Sequence, residues 1–302
     1  MAAVFFVILH PLKMHNMKRI SVLFVLVFIV FCGFSQSLLW KVTGKKLQSP
    51  SYLYGTIHIQ DQRVFNFDTL VWEKFHSCDA FAMEILMDEI NPAEMRDCMY
   101  MPKGKLLSEL MSPEDFAMLD SICKKKLGAT AYLMNTMKPF FVASAMQQSE
   151  FSQDMETALD LYFLKKAREA GKLCYGVEKF QVQVDAIDAI KLKDQIKMLS
   201  QSLHDTTTAD TSESQKLLEV YLAADLDKML EMSNDASMPA KFNKIFLIDR
   251  NVGMAKNFEK IAMEHSLFCA VGAAHLGGEK GVIALLRKKG YTVEPVITTG
   301  KP

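Results

Sequence analysis

The chain has no excess of charge and none of the short motifs that identify several common enzyme classes. Its 302 residues include 35 basic and 35 acidic side chains, so no overall charge attracts it to nucleic acid or to an anionic membrane surface. The sequence contains no G-x-S-x-G, H-E-x-x-H, P-loop or G-x-G-x-x-G motif. These absences argue against serine hydrolases with a nucleophile elbow, zincin proteases and phosphate-loop or dinucleotide-binding enzymes.

The apolar run near the N-terminus is short for a membrane span. Lys18 and Arg19 precede the run Ile20–Phe31, which has about a dozen residues where a spanning helix needs about 20. Small and polar residues follow it. This order predicts a secretory leader over residues 1–36, and therefore an exported protein that is periplasmic or secreted.

Two alternatives remain for this segment. The leader could stay uncleaved as a membrane anchor, or Cys32 could carry a lipid, although the bulky Phe31 stands where a small residue is expected before a lipidated cysteine. Contact with a membrane is expected only through such an anchor. Met17 is a more natural start than Met1, so the first 16 residues are an over-long start in this interpretation.

The cysteines that follow the leader indicate no metal-binding motif. Five remain, none in a C-x-x-C pair, and an odd number leaves at least one thiol unpaired within a monomer. Cys98 and Cys123 could pair, but the sequence leaves this open.

Two segments, near opposite ends of the chain, share one order of elements: a strand, Gly-x-x-His, a helix, and a strand with an acid. The first contains Gly55, His58 and Glu84, and the second ends with Glu294. The repeat predicts an α/β fold whose mixed β-sheet is built from two related strand-GxxH-helix-strand units flanked by helices. Residues 37–302 are expected to form a single domain, and the helical pattern of residues 91–170 predicts a helical insert.

The two motif histidines and one acid form a candidate metal site. His58 and His275 each follow a strand-like run by a few residues, and Glu84 lies in an otherwise apolar run. Imidazole and carboxylate ligands suit divalent metals, and three of them leave a position for water. Gly55 and Gly272 would let the backbone turn sharply and let another part of the chain or a ligand come close to it. Alternatively, each histidine only caps a strand end and Glu84 faces solvent.

Three further residues could take part in the chemistry. Glu178 follows another strand-like run and could be a general base or a helix N-terminal acid. Arg250 could orient a carboxylate through a bidentate contact or stabilise a developing oxyanion, and a surface salt bridge is its alternative. Asn251 could also stabilise the oxyanion.

These residues together resemble the TraB/GumN family, to which the Tiki metalloproteases are related. The resemblance covers roughly residues 38–297, and its two specific ends are Tyr52–His58 and Val271–Val293. Between them, Lys138-Pro139, Gly176-Val177-Glu178 and Arg250-Asn251 occur in the family's order. Val177 stands where the family more often has Leu, which is a conservative change.

The resemblance implies a divalent metal, manganese or cobalt, held through the residues Gly55, His58, Glu84, Gly272 and His275. Zinc or iron would suit the same donors. Related sheet folds include erythromycin-esterase-like hydrolases and an iron- or haem-binding lipoprotein type. The expected function is that of an exported metal-dependent hydrolase acting on a peptide or protein. The alternative is a non-catalytic envelope protein that binds haem, metal or peptide in the same cleft, and a haem-binding protein would show a Soret band.

Overall fold

The computed structural model describes residues 37–44, 47–204, 213–233 and 242–297. Within these ranges the chain forms six strands, β1 Leu39–Thr43, β2 Ser51–Thr56, β3 Ala80–Met83, β4 Leu173–Gly176, β5 Leu267–Gly272 and β6 Thr292–Pro295. The same ranges contain twelve α-helices, α1 Thr69–His76, α2 Pro92–Met99, α3 Leu107–Leu110, α4 Pro113–Leu127, α5 Pro139–Gln148, α6 Leu159–Glu169, α7 Phe180–Asp188, α8 Leu192–His204, α9 Glu213–Leu222, α10 Leu226–Ser233, α11 Asp249–Ala262 and α12 Val282–Lys288. A π-helical turn, Lys244–Ile248, leads into α11.

The strands form one mixed sheet in the order β4-β3-β5-β2-β1-β6. Strands β4, β3, β5 and β2 are parallel to one another, whereas β1 pairs antiparallel with both β2 and β6. All six residues of β2 are buried, as in a strand that is covered on both faces of its sheet. The predicted mixed α/β fold is therefore confirmed.

An aromatic cluster fixes helix α6 against the central strands. Tyr54 of β2 lies edge-on to Phe163 of α6, with ring centroids 5.3 Å apart, and stacks on Phe268 of β5 at 5.9 Å. At the start of α6, the backbone N–H of Leu159 donates to the carbonyl of Ile59, at 3.2 Å. Together these contacts hold the first turn of α6 beside the segment that follows β2.

A second hydrophobic cluster lies among the helices, apart from the sheet. Its buried members include Leu107, Leu119 and Val142 from α3, α4 and α5, and also Leu199 and Leu203 from α8. The helical character predicted for residues 91–170 is observed in α2 to α6. The boundaries of the insert stay a prediction, because α8 follows β4 and still contributes to the same cluster.

The two predicted units agree in their order along the chain but place their last strands differently. Strand β3 lies between β4 and β5, and Glu84, the first residue after it, is buried. Strand β6 lies at the edge of the sheet beside β1, and Glu294 within it is exposed. The relationship between the two units therefore stays a prediction.

Other predictions concern the cysteines and the N-terminus. The five cysteines in the described ranges are all free thiols, so Cys98 and Cys123 are not joined. The predicted leader, residues 1–36 with Cys32, lies outside the described residues. In the part of the chain that the structure describes, no helix has both the length and the apolar character to cross a membrane.

A glycine in β2 allows the close contact between the ends of β2 and β5. A Cβ at Gly55 would lie 2.9 Å from the Cβ of Ala273 and 3.2 Å from Cδ1 of Leu276. We predict that Gly55→Ala lowers the free energy of unfolding by about 1–3 kcal/mol, because overpacking forces the backbone apart. Urea unfolding followed by circular dichroism measures this.

The matched control is Gly253→Ala in helix α11, where a Cβ would meet nothing within 4 Å. This change should raise the free energy of unfolding by about 0.5–1 kcal/mol, because alanine favours a helix interior over glycine. If Gly55→Ala and Gly253→Ala changed the free energy of unfolding equally, close packing around Gly55 would not be the cause.

Candidate metal centre

The ends of adjacent parallel strands place four polar residues together. His58 follows β2, Glu84 follows β3, Glu178 follows β4 and His275 ends the short 3-10 turn after β5. These strands are neighbours in the sheet and run in one direction. Side chains at their carboxyl ends therefore meet at one edge of the sheet, where open α/β sheets place their sites.

The carboxylate of Glu84 lies between the two motif histidines. Its Oε1 is 4.0 Å from Nε2 of His58 and 3.7 Å from Nε2 of His275. The same oxygen accepts a hydrogen bond from the backbone N–H of Gly272, at 2.8 Å. A Cβ at Gly272 would lie 3.1 Å from that oxygen, so glycine keeps the space that the carboxylate occupies.

Each histidine is oriented through its other ring nitrogen. Nδ1 of His275 lies 2.7 Å from Oδ1 of Asn251, whose amide nitrogen donates to the carbonyl of Lys280. Nδ1 of His58 lies 2.9 Å from Oδ2 of Asp160. The Asn251 amide orientation makes Nδ1 of His275 the donor, which leaves Nε2 with its lone pair toward Glu84. Metal-binding histidines are held in this way.

These residues fit a divalent ion by their chemistry, but their atoms lie farther apart than the ligand atoms of a bound metal. Ligand atoms of a tetrahedral metal lie roughly 3.4 Å apart when the metal–ligand bonds are about 2.0–2.2 Å. The two nitrogen–oxygen distances exceed this by a few tenths of an ångström. Within the described ranges, no group of three or more His, Cys, Asp or Glu side chains is close enough together to count as a formed metal site. Binding would draw the three side chains inward.

Arg250 neutralises the carboxylates behind the two histidines. Its Nη2 lies 2.6 Å from Oε2 of Glu84 and also contacts Glu178, and its Nε lies 3.0 Å from Oε2 of Glu178. Its remaining nitrogen donates to the carbonyl of Phe246. Gln183 of α7 donates to both carboxylates, at 3.1 Å from Glu84 and 2.7 Å from Glu178. All these groups are buried or half-buried, so the network is shielded from water.

The pKa values of the two carboxylates move in opposite directions. Burial opposes ionisation of Glu84, but the cationic forms of His275, Arg250 and His58 outweigh it and lower the pKa of Glu84 to about 2. Burial raises the pKa of Glu178 and its bonds to Arg250 only partly offset this. Glu84 is therefore an anion over the whole physiological range.

The two histidines also differ in pKa. The charge of Asp160 raises the pKa of His58 to about 9, whereas burial lowers the pKa of His275 to about 4. The side chain of His58 is 54 % exposed and that of His275 only 6 %. A neutral buried imidazole and a charged, half-exposed one thus face the same carboxylate.

A cleft with a volume of about 410 Å³ opens beside this site. His58, Glu84 and Asp160 line it. Glu156 adds a third carboxylate, and the other lining residues are mostly apolar groups and amides, Ile59, Met83, Ile85, Met87, Leu161, Ala158, Thr157, Gln60, Gln148, Gln153 and Gln183. No lysine or arginine is among the described residues that line it, so the cation that the lining presents is the charged imidazole of His58.

The structure brings the predicted site residues together, but their contacts favour other roles for some of them. Asn251 uses both ends of its amide on His275 and Lys280, and Arg250 uses its guanidinium on two carboxylates and a carbonyl. Arg250 thus makes the contact with carboxylates that was one of its two predicted roles, and stabilisation of an oxyanion by either residue stays a prediction. Glu178 does not line the cleft.

Sequence reasoning missed Asp160 and Gln183. Asp160 stands in the first turn of an amphipathic helix, where an acid is ordinary because of the helix dipole. Gln183 is one polar residue among others in α7. No local pattern separates either residue from a solvent-exposed side chain.

Comparison with known proteins gives one family. The model of the TraB/PrgY/gumN family matches residues 38–295. Metalloprotease TIKI1 of Danio rerio is 26% identical, over 85% of this chain and 63% of its own length. Metalloprotease TIKI2 of Xenopus tropicalis is 24% identical, over 85% of this chain and 59% of its own length. The metalloprotease TIKI homolog of Nematostella vectensis is 24% identical, over 86% of this chain and 67% of its own length.

The chain thus spans about three-fifths of the length of these curated relatives. No solved structure was found to match it.

Removal of Arg250 should strongly destabilise the fold. Arg250→Met leaves two buried carboxylates without their cation, so we predict a loss of about 3–5 kcal/mol in the free energy of unfolding. Without the guanidinium, burial raises both carboxylate pKa values in the folded variant. Protonation then relieves the unpaired charge, so the deficit relative to wild type should shrink as the pH falls from about 8 to about 5. Urea unfolding at several pH values measures both effects.

Arg168→Met is the matched control. Arg168 also binds two carboxylates, Asp88 at 3.1 Å and Glu89 at 2.7 Å, but its side chain is 41 % exposed. The expected loss is less than about 1 kcal/mol, because water solvates the charges that remain. If Arg250→Met cost no more than this control, the buried network would not be stabilising the site.

Proposed function

The chain belongs to the TraB/PrgY/gumN family, and on that premise we propose that it is a metal-dependent peptidase. One observation carries the proposal most directly. Nε2 of His58 and Nε2 of His275 face the same oxygen of Glu84, and each imidazole is held by a bond at Nδ1. The names of the matched relatives, all metalloproteases, support the same class of activity.

His58, His275 and Glu84 would hold the divalent ion, and His58 would release the proton on its Nε2 as the metal binds. Manganese or cobalt is proposed from the family resemblance, and the two nitrogens and one carboxylate would also accept zinc or iron. Such an ion would polarise a substrate carbonyl and lower the pKa of a bound water. The protein's own contribution is a carboxylate that is ionised at every physiological pH and two imidazoles whose ring orientation is fixed.

Glu178 is the proposed general base, and Gln183 controls access to it. Burial raises the pKa of Glu178, which brings the carboxylate closer to the pH at which a base works best. Its carboxylate is covered by Arg250 and Gln183. We propose that Gln183 moves aside when substrate binds, which lets water reach Glu178. Arg250 and Asn251 act as positioning residues for Glu84 and His275.

The amides and apolar groups that line the cleft suit a peptide segment. Amide side chains such as Gln60 and Gln148 can pair with a peptide backbone, and the apolar side chains can accept aliphatic groups. A volume of about 410 Å³ lies within the range of pockets that enclose small ligands. The proposed substrate is therefore a peptide or an accessible segment of a protein, bound next to the histidines.

The double variant His58→Ala/His275→Ala tests the proposal. Purified without chelator and soaked with manganese or cobalt, the wild-type protein should retain close to one ion per chain and hydrolyse peptides from a mixed library. The double variant should lose both properties, because two of three ligands are gone. Elemental analysis and mass spectrometry of the peptides measure the two outcomes.

The control is His204→Ala/His265→Ala, which removes two histidines that bond to Asp115 and Tyr175 away from the cleft. It should keep the metal and the activity. Wild-type protein without metal would contradict the proposal. Metal or peptide binding without any hydrolysis would instead favour the non-catalytic binding protein, and a Soret band would identify a haem-binding one.

We also propose that the protein is exported, on the basis of the leader pattern over residues 1–36. Expression of the full chain with intact-mass analysis of the product should give a mature N-terminus near Gln36. A product that keeps Lys18 and Arg19 would show an uncleaved anchor, and a lipid mass on Cys32 would show a lipoprotein.

A further inference from the structure

Asp160 is a buried carboxylate beside the candidate metal centre, and only one of its two oxygens has a partner. It stands in the first turn of α6 and is 6% exposed. Its Oδ2 lies 2.9 Å from Nδ1 of His58. Its Oδ1 is also buried and has no hydrogen-bond partner in the described part of the chain. A buried carboxylate with one oxygen unsatisfied is costly to fold, and a group of this kind in a native structure calls for an explanation.

An acid at the start of a helix usually accepts hydrogen bonds from the free N–H groups of the first turn, and Asp160 does not have this role. Helix α6 has no hydrogen bond from a side chain to its free N–H groups. The carboxylate is turned instead toward the cleft, which it helps to line together with His58. Its one strong contact is the imidazole.

The two candidate ligands differ in how much the fold itself restrains them. His275 is packed in the interior, and the neutral amide of Asn251 is enough to orient it. The side chain of His58 is 54 % exposed, so packing restrains its ring far less. A charge-assisted hydrogen bond is about twice as strong as a neutral one, and the less restrained ring is the one that has it.

We propose that Asp160 is a positioning residue that holds the ring of His58 with Nε2 toward Glu84 and strengthens that nitrogen as a donor to a divalent cation. This inference rests on the proposed function, because it assumes that His58 is a ligand. In this role Asp160 acts on the metal through His58.

The test compares cobalt and manganese binding by the full-length protein and its Asp160→Asn variant. Asparagine keeps the size of the side chain and one acceptor oxygen but removes the charge. We expect the dissociation constants to rise by about 10- to 100-fold, as is typical when the outer partner of a ligand histidine is changed. The ligand-field absorption of the cobalt form should also change, because the His58 ring is held less firmly. A residue that only stabilised the fold would not alter that spectrum at saturating cobalt.

The matched control is Asp115→Asn. Asp115 also pairs with a histidine, His204, at 2.6 Å, on helices outside the cleft. This variant should bind both metals like wild type. Circular dichroism of the metal-free proteins should show the same fold in all three.

The outcomes separate the two claims. Equal affinity and equal cobalt spectra in wild type and Asp160→Asn would overturn the role of Asp160 and leave the metal centre standing. A wild-type protein that binds neither cobalt nor manganese would contradict both. An Asp160→Asn variant that loses its circular dichroism spectrum in the metal-free state would show a structural role and would also overturn the inference.

Discussion

The contact of Arg250 with two buried carboxylates is the interaction on which the candidate site depends. Glu84 and Glu178 follow adjacent parallel strands and reach the same sheet edge, where two negative charges would repel each other in a medium of low dielectric. The guanidinium bonds to both, and this lets Glu84 remain ionised with one oxygen toward the histidines. It also ties helix α11, which carries Asn251, to the sheet, so the orientation of His275 follows from the same helix.

The topology of the sheet explains why residues far apart in sequence share one small site. Strand β5 lies between β3 and β2, so a motif near the C-terminus is inserted between two from the first third of the chain. Gly55 and Gly272 then have packing roles: one allows the turn after β5 to lie close to β2, and the other leaves space for the Glu84 carboxylate. A glycine is thus needed near the end of each strand, because other atoms of the protein lie too close for a side chain there. The motif histidine stands three residues after each glycine.

Much of the site could be predicted from sequence, because strand ends in an α/β sheet meet at one edge. The pattern of apolar run, glycine and histidine located His58 and His275, and an acid at the end of an apolar run located Glu84. In the sequence Glu294 looks the same as Glu84, because it too is an acid in an apolar run. However, β6 is an edge strand and Glu294 is exposed. Asp160 could not be distinguished from an ordinary acid at a helix start, and the two carboxylates held by Arg250 depend on tertiary contacts across 166 and 72 residues. Sequence periodicity carries no information about such contacts.

The most direct test of a shared metal centre is anomalous X-ray diffraction from crystals of the protein soaked with manganese. We predict one strong anomalous peak bounded by Nε2 of His58, Nε2 of His275 and Oε1 of Glu84, at about 2.0–2.2 Å from each. Bonds of that length would require the present separations of 4.0 and 3.7 Å to close by a few tenths of an ångström. A peak that contacts only one of the two histidines, or no peak at this sheet edge, would contradict this prediction.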